Sequence, residues 1–166
     1  MKTNNASHFR STHHRLTEEA YQTEQALQAR RKISVSEKGK RYVLANEVAM
    51  QSVVYAVDGY IQKEGLRCDK LVLVQRTAKD ELPEHWTEVF VELKGVDANH
   101  AIDQLENSLK QAFFRTPSNT DIRARIVAQS FPSCKANPTM EKAKIAFRKR
   151  YNCDLRGMKT GQEDQL

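Results

Sequence analysis

Between residues 52 and 94 the chain spells three extended runs in close succession, and this constrains its fold more than any other feature. Residues 52–61 (SVVYAVDGYI) and 67–75 (RCDKLVLVQ) are rich in β-branched and aromatic side chains, which fit a pleated, half-buried surface. Lys63, Glu64 and Gly65 mark a turn between them, so the pair reads as a hairpin. A polar loop holding Pro83 leads to a third run, residues 87–94, which Gly95 stops. The period then changes. Ala101, Leu105, Leu109 and Ala112 recur at helical spacing across residues 97–114, with Ile102 and Phe113 widening the stripe. Asp97 is placed to cap this helix and Pro117 lies just beyond its end. Residues 121–130 alternate again, putting Ile122, Ala124, Ile126 and Ala128 on one face of a fourth strand. Strands interleaved with a helix make this an α/β chain.

The ends are less patterned. Residues 16–32 read as an N-terminal helix, with Thr17 as a cap, acids after it and bases at its far end. Its apolar residues are sparse, which suits either loose packing or a protein partner. Residues 33–36 suit a short strand, and residues 41–48 suit a strand or a helix equally. Residues 138–151 form a basic helix that opens with Pro138. The expected organisation is a flexible lead over residues 1–15 (holding His8, His13 and His14), one domain over 16–156 and a flexible tail over 157–166. A length of 166 residues suffices for one core. No apolar stretch approaches the roughly 18–20 residues of a membrane span. The N-terminus lacks the apolar centre of a secretory signal, so cytoplasmic residence is expected. Cys68, Cys134 and Cys153 are odd in number and widely spaced, which suits reduced thiols, with Cys68 a small buried strand residue.

The net charge of +6 is unevenly spread. Residues 1–42 carry nine basic and four acidic side chains, residues 43–134 ten and thirteen, and residues 135–159 eight and two. A negative centre flanked by positive segments suits carboxylates that hold a cation beneath a polyanionic ligand; solvated basic helices would give the same count.

The acids of that centre can be placed. In the run Glu-Val-Phe-Val-Glu-Leu-Lys-Gly, residues two apart share a face, so Glu92 and Lys94 point one way and Leu93 the other. Folding the hairpin about residues 63–65 sets Asp58 roughly opposite Asp69. Two like charges opposed on a sheet are unfavourable. Protonation, a register slip or a bound cation would each relieve them, and two or three carboxylates completed by water are what Mg²⁺ accepts. Asp58 could instead begin an Asp-Gly turn with Asp69 merely exposed. Lys94 could steady a reacting water or form a salt bridge to Glu92 or Asp69. Arg148, Lys149 and Arg150 offer a basic helix face to phosphates, or are simply solvated. His100 reads as a surface residue and Trp86 as packing. Neither a P-loop nor a dinucleotide-binding glycine pattern is present.

Asp69, then Glu92-Leu93-Lys94 on a following strand, then a helix carrying Gln104, resembles the PD-(D/E)XK nuclease superfamily over about residues 52–130. Cys68 stands where that motif has proline, and only Glu47 could supply the further acid that many members take from an early helix. The resemblance implies a restriction-endonuclease-like core, a central mixed four-stranded sheet flanked by helices, here with an extra N-terminal helix. It implies Asp69 and Glu92 as ligands of Mg²⁺ (with Mn²⁺ as a substitute), joined by Asp58 from the hairpin reading. Lys94 becomes the residue that orients the water, and Gln104 a residue near the substrate, with Arg148, Lys149 and Arg150 on its backbone. The implied activity is phosphodiester hydrolysis of nucleic acid, DNA ahead of RNA. The alternative is an inert module of that fold that binds nucleic acid or a protein partner in a phage or defence system. A second copy of the chain is a further partner that such an enzyme admits.

Overall fold

A computed structural model describes residues 9–93, 97–130 and 138–166. In chain order the elements are α1 (Thr12–Glu18), β1 (Gln25–Ala29), β2 (Lys32–Glu37), β3 (Lys40–Ala45), β4 (Gln51–Ala56), β5 (Lys70–Gln75) and β6 (Trp86–Glu92). There follow α2 (Ala98–Leu109), a 3₁₀ turn (Ala112–Phe114), β7 (Asn119–Ala128), α3 (Pro138–Tyr151), β8 (Cys153–Lys159) and β9 (Glu163–Gln165).

Six strands form one mixed sheet in the order β1-β4-β5-β6-β7-β8. The first three pairings are antiparallel, whereas β6–β7 and β7–β8 are parallel. Each parallel step is bridged by a helix, α2 and then α3, as parallel strands require. A second mixed sheet, β2-β3-β9, covers the opposite face. The central strands are therefore covered on both sides, which is why β5 and β6 are buried along nearly their whole length instead of alternating. Leu71, Leu73 and Phe90 face the helices, where Leu16, Leu105 and Phe147 meet them. Val72, Val74, Val89 and Val91 face the small sheet, against Ile33, Val35, Tyr42 and Leu44.

Several expectations need correction. The large sheet has six strands, not four, and a second sheet of three accompanies it. Residues 16–32 do not form one helix. The helix ends at Glu18, Ala20 turns left-handed at φ 64°, and residues 25–29 become an edge strand with mostly exposed side chains. An edge strand is held by its backbone pairing to β4, so its side chains need no apolar pattern. His13 and His14 lie in α1, not in a flexible lead, while His8 lies outside the described residues. The 52–61 strand stops at Ala56, and the hairpin closes through a long excursion rather than a turn at residues 63–65. Residues 157–166, expected as a flexible tail, carry the end of β8 and all of β9. Asp164 there is buried and bonded to Tyr42 and Arg125. The Asp97 cap, in contrast, forms as its position implies, accepting from the Asn99 and His100 amides.

Candidate metal centre

Asp69 sits immediately before β5 and Glu92 closes β6. The antiparallel ladder ends with Lys70 paired to Val91, so Asp69 and Glu92 each lie one residue beyond that last rung. Backbone bonds fix Asp69: its amide donates to the Val91 carbonyl at 3.1 Å, and the Val57 amide donates to its carbonyl at 3.0 Å. The Asp69 side chain turns toward β6, where Oδ2 accepts the Leu93 amide at 2.8 Å. Asp69 is 1% exposed and Glu92 0%. Burial pushes the neighbouring Cys68 thiol up, a bond to Ser108 opposes this, and the charges of Glu92 and Asp69 push it further. The two carboxylates therefore share one buried corner at the carboxyl end of β6.

Asp58 does not join them. It leaves the ladder after Ala56 and Val57, bridges to Gln62 and pairs with Arg67 Nε at 2.5 Å. The expected opposition of Asp58 and Asp69 is relieved by this arginine and by the excursion of the loop. Gln104 is buried on α2, and its Nε2 donates to the Arg67 carbonyl at 3.2 Å, tying the helix to the segment that delivers Asp69. Ser108, one turn on, bonds the Cys68 amide and Gln62. Lys94 lies outside the described residues, as does Cys134.

Arg148, Lys149 and Arg150 occupy the last turn of α3, just before β8. The parallel register places Cys153 level with Ile122 and Glu88, four residues before Glu92 on β6. At about 3.3 Å per residue that is roughly 13 Å from the carboxylate corner. Arg148 pairs with Asp154 at 3.6 Å and Arg150 with Glu106 at 3.1 Å. The basic triplet and the acidic corner thus belong to opposite ends of the same strands.

Mg²⁺ accepts one or two carboxylates with water at its other positions, and the corner offers that donor set. Among the described residues no group of three or more His, Cys, Asp or Glu side chains is placed to enclose an ion. Sequence reasoning missed Glu88, which is 1% exposed on the helix-facing side of β6. Its signal was available: it shares parity with Glu92 on a strand too apolar to be solvated. Comparison with protein-family models, with curated proteins and with solved structures gave no match.

Proposed function

We propose that the chain is a Mg²⁺-dependent phosphodiesterase acting on nucleic acid, DNA ahead of RNA, built on a restriction-endonuclease-like core. One observation carries the reading: Asp69, just before β5, and Glu92, the last residue of β6, flank the Lys70–Val91 rung and are both buried, with the Leu93 amide orienting Asp69. The succession β4-β5-β6-α2-β7, an antiparallel meander followed by a helix and a parallel strand, supports the assignment of the core.

Asp69 and Glu92 are the residues that would hold the ion. When bound, Mg²⁺ supplies a water of lowered pKa and a clamp for phosphate oxygens. The chain contributes preorganisation. Asp69 is fixed by a backbone amide and by strand pairing, so little rotamer freedom remains to be lost. Lys94, as the base of the E-x-K triplet, is assigned to the attacking water. Gln104 acts on position, through the Arg67 carbonyl that precedes Asp69. No helix among the described residues is long and apolar enough to cross a membrane.

The inert module is favoured by a specific observation of its own. Both carboxylates are almost fully buried, and Asp58 is committed to Arg67. Its partner would not dock on a long N-terminal helix, since α1 has seven residues and buries Leu16 in the core.

The experiment is cleavage of single- and double-stranded DNA and RNA with Mg²⁺ or Mn²⁺, paired with calorimetric titration of Mn²⁺. Asp69→Asn, Glu92→Gln and Lys94→Ala should each lower cleavage by about 10²-fold or more, and the first two should also weaken Mn²⁺ binding. Equal activity in all four proteins overturns the hydrolase. Absence of both cleavage and ion binding leaves the inert module.

A further inference from the structure

β8 is the outermost strand of the large sheet, with β7 on one side and, among the described residues, no strand on the other. It is seven residues long and keeps an unbroken register with β7 from Cys153 to Lys159. An open edge is a template for another strand, and proteins blunt such edges with brevity, bulges or proline. The opposite edge of this sheet is blunted: β1 has five residues, and its register shifts between Gln25 and Gln28. β8 has neither bulge nor proline.

The direction of its backbone groups follows from one bond. The Thr160 amide donates to the Ala128 carbonyl of β7 at 2.9 Å. Alternation along the strand then turns the backbone groups of Asp154, Arg156 and Met158 toward β7, and those of Cys153, Leu155 and Gly157 outward. Lys159 fits this parity. Its outward amide and carbonyl are both bonded to Gln162, at 3.1 Å and 3.0 Å. Among the described residues nothing meets the outward N–H and C=O of Leu155 and Gly157.

The side chains select what can pair there. In a two-fold antiparallel pair the residue at the axis fixes the register. Within β8 only Leu155 at the axis sets acid against base. Leu155 then faces the partner's Leu155, Cys153 faces the partner's Gly157, and Asp154 faces the partner's Arg156. Asp154 or Arg156 at the axis would oppose like charges. The outward groups of Leu155 give a pair of backbone bonds at the axis, and Cys153 and Gly157 give another pair on each side. Asp154 and Arg156 fall on the rungs between, where Cα atoms approach to about 4.5 Å and side chains meet most closely. Within one copy Arg156, 61% exposed, shares Asp154 with Arg125 and Arg148, at 3.0, 3.1 and 3.6 Å. Pairing gives Arg156 an acid on its open side and closes a ring of alternating charge.

An apolar surface lies at the same level. Ile145 on α3 is 70% exposed, on the rim of a cavity of about 450 Å³ between α3 and residues 153–155. A single exposed isoleucine is ordinary. This one stands beside Leu155, so pairing brings two copies of it, and of the cavity, to one axis.

We propose that a second copy of this chain pairs antiparallel with β8, joining two six-stranded sheets into one continuous sheet with Leu155 at the two-fold axis. The exposed Lys149, Arg150 and Lys159 near this edge would suit a polyanion, but a polyanion leaves Ile145 and the ladder of outward backbone groups without a role. The proposal does not rest on the phosphodiesterase reading.

The test is sedimentation of the full chain from about 1 to 100 µM, with amide exchange and crosslinking beside it. The parent should be a dimer at the upper end, where the Leu155 and Gly157 amides exchange more slowly than at the lower. Ile145→Asp and Arg156→Glu are changes at exposed side chains that leave the fold intact, and each should weaken the dimer at least about tenfold. Asp154→Cys mixed with Arg156→Cys should form disulfide-linked pairs faster than either variant alone, because those positions face each other. A parent that stays monomeric at about 100 µM overturns the proposal. If its Leu155 and Gly157 signals then shift on adding an oligonucleotide, the edge belongs to a polyanion. A dimer unaffected by both exposed changes, or cysteine variants that crosslink no faster mixed than alone, overturns it as well.

Discussion

Glu88 and Asp164 are both buried acids packed on the large sheet, one on each face, and they are kept there by opposite means. Asp164, from the small sheet, is met by Arg125 Nε at 2.7 Å and by the Tyr42 hydroxyl at 2.7 Å. Burial would push its carboxyl up, but the Arg125 charge and these bonds outweigh burial and hold it below the ordinary carboxylate range. Glu88, on the helix face, has burial acting on it with no opposing charge, and its carboxyl is held well above that range. One acid is biased toward its charged form by a counter-ion. The other is biased toward its protonated form by burial, and its Oε2 meets no hydrogen-bond partner among the described residues. Depth alone therefore does not say what a buried carboxylate is for; the groups built around it do.

Removing Asp164 is the harshest way to break this contrast. In Asp164→Ala, Arg125, 1% exposed, keeps its charge and loses its closest counter-ion. Asp154 remains at 3.1 Å but is more exposed. The loss should be about 3–5 kcal/mol of stability at pH 7, read from urea unfolding. Asp164 also ties β9 to β3 and β7, so amide exchange across 160–166 should rise together with the global loss. A loss below about 1 kcal/mol would mean that the pair only offsets its own desolvation.

The pH dependence sharpens the same point. Asp164 has a folded pKa below its unfolded one, so the stability it adds is present above the unfolded value and is lost as pH falls through the folded one. Tyr42→Phe removes one of its bonds without opening a cavity, and should cost about 1.5–3 kcal/mol at pH 7, the range for bonds to a charged group. On acidification the stability of Tyr42→Phe should start to fall at the same pH but from a lower plateau, so the variant unfolds at a higher pH than the parent. A plateau equal to the parent's would show that Arg125 alone holds Asp164.

These contrasts also explain what could be read from residues alone. The 121–130 alternation, the Asp97 cap and the strands that follow Asp69 and end in Glu92 follow from local pattern, because period and capping chemistry act over a few residues. The six-stranded order and the small sheet depend on pairings between distant segments. β3 meets β9 across more than a hundred residues, and β1 is held by backbone bonds that no side-chain pattern announces. Asp58 illustrates the same limit at the site. Its distance from the turn suggested a place opposite Asp69, but Arg67 competes for it. Arg125, on the same face of β7 as Val127, lies buried between the sheets, where Asp164 from the distant β9 meets it. Cys68 and Cys153 are free thiols, as their number and spacing imply; Cys68 is buried as expected, and Cys153 is buried too, which pushes it up to about 12.

The mildest effect isolates Glu88. Its folded pKa lies above the ordinary 4.5, so the native state holds a proton that the unfolded chain releases. Its contribution is complete below the unfolded pKa and declines as pH rises toward the folded one, at most about 1.4 kcal/mol per pH unit. Glu88→Gln keeps the shape and cannot ionise. The two proteins should match near pH 4, and the variant should become progressively more stable through neutrality, with the gap levelling once the native acid finally ionises. Because every other group titrates alike in both, the difference curve from urea midpoints belongs to this one side chain. Parallel curves from pH 4 to 8 would show that Glu88 ionises normally in the folded protein, and the contrast with Asp164 would then lie in geometry rather than in charge.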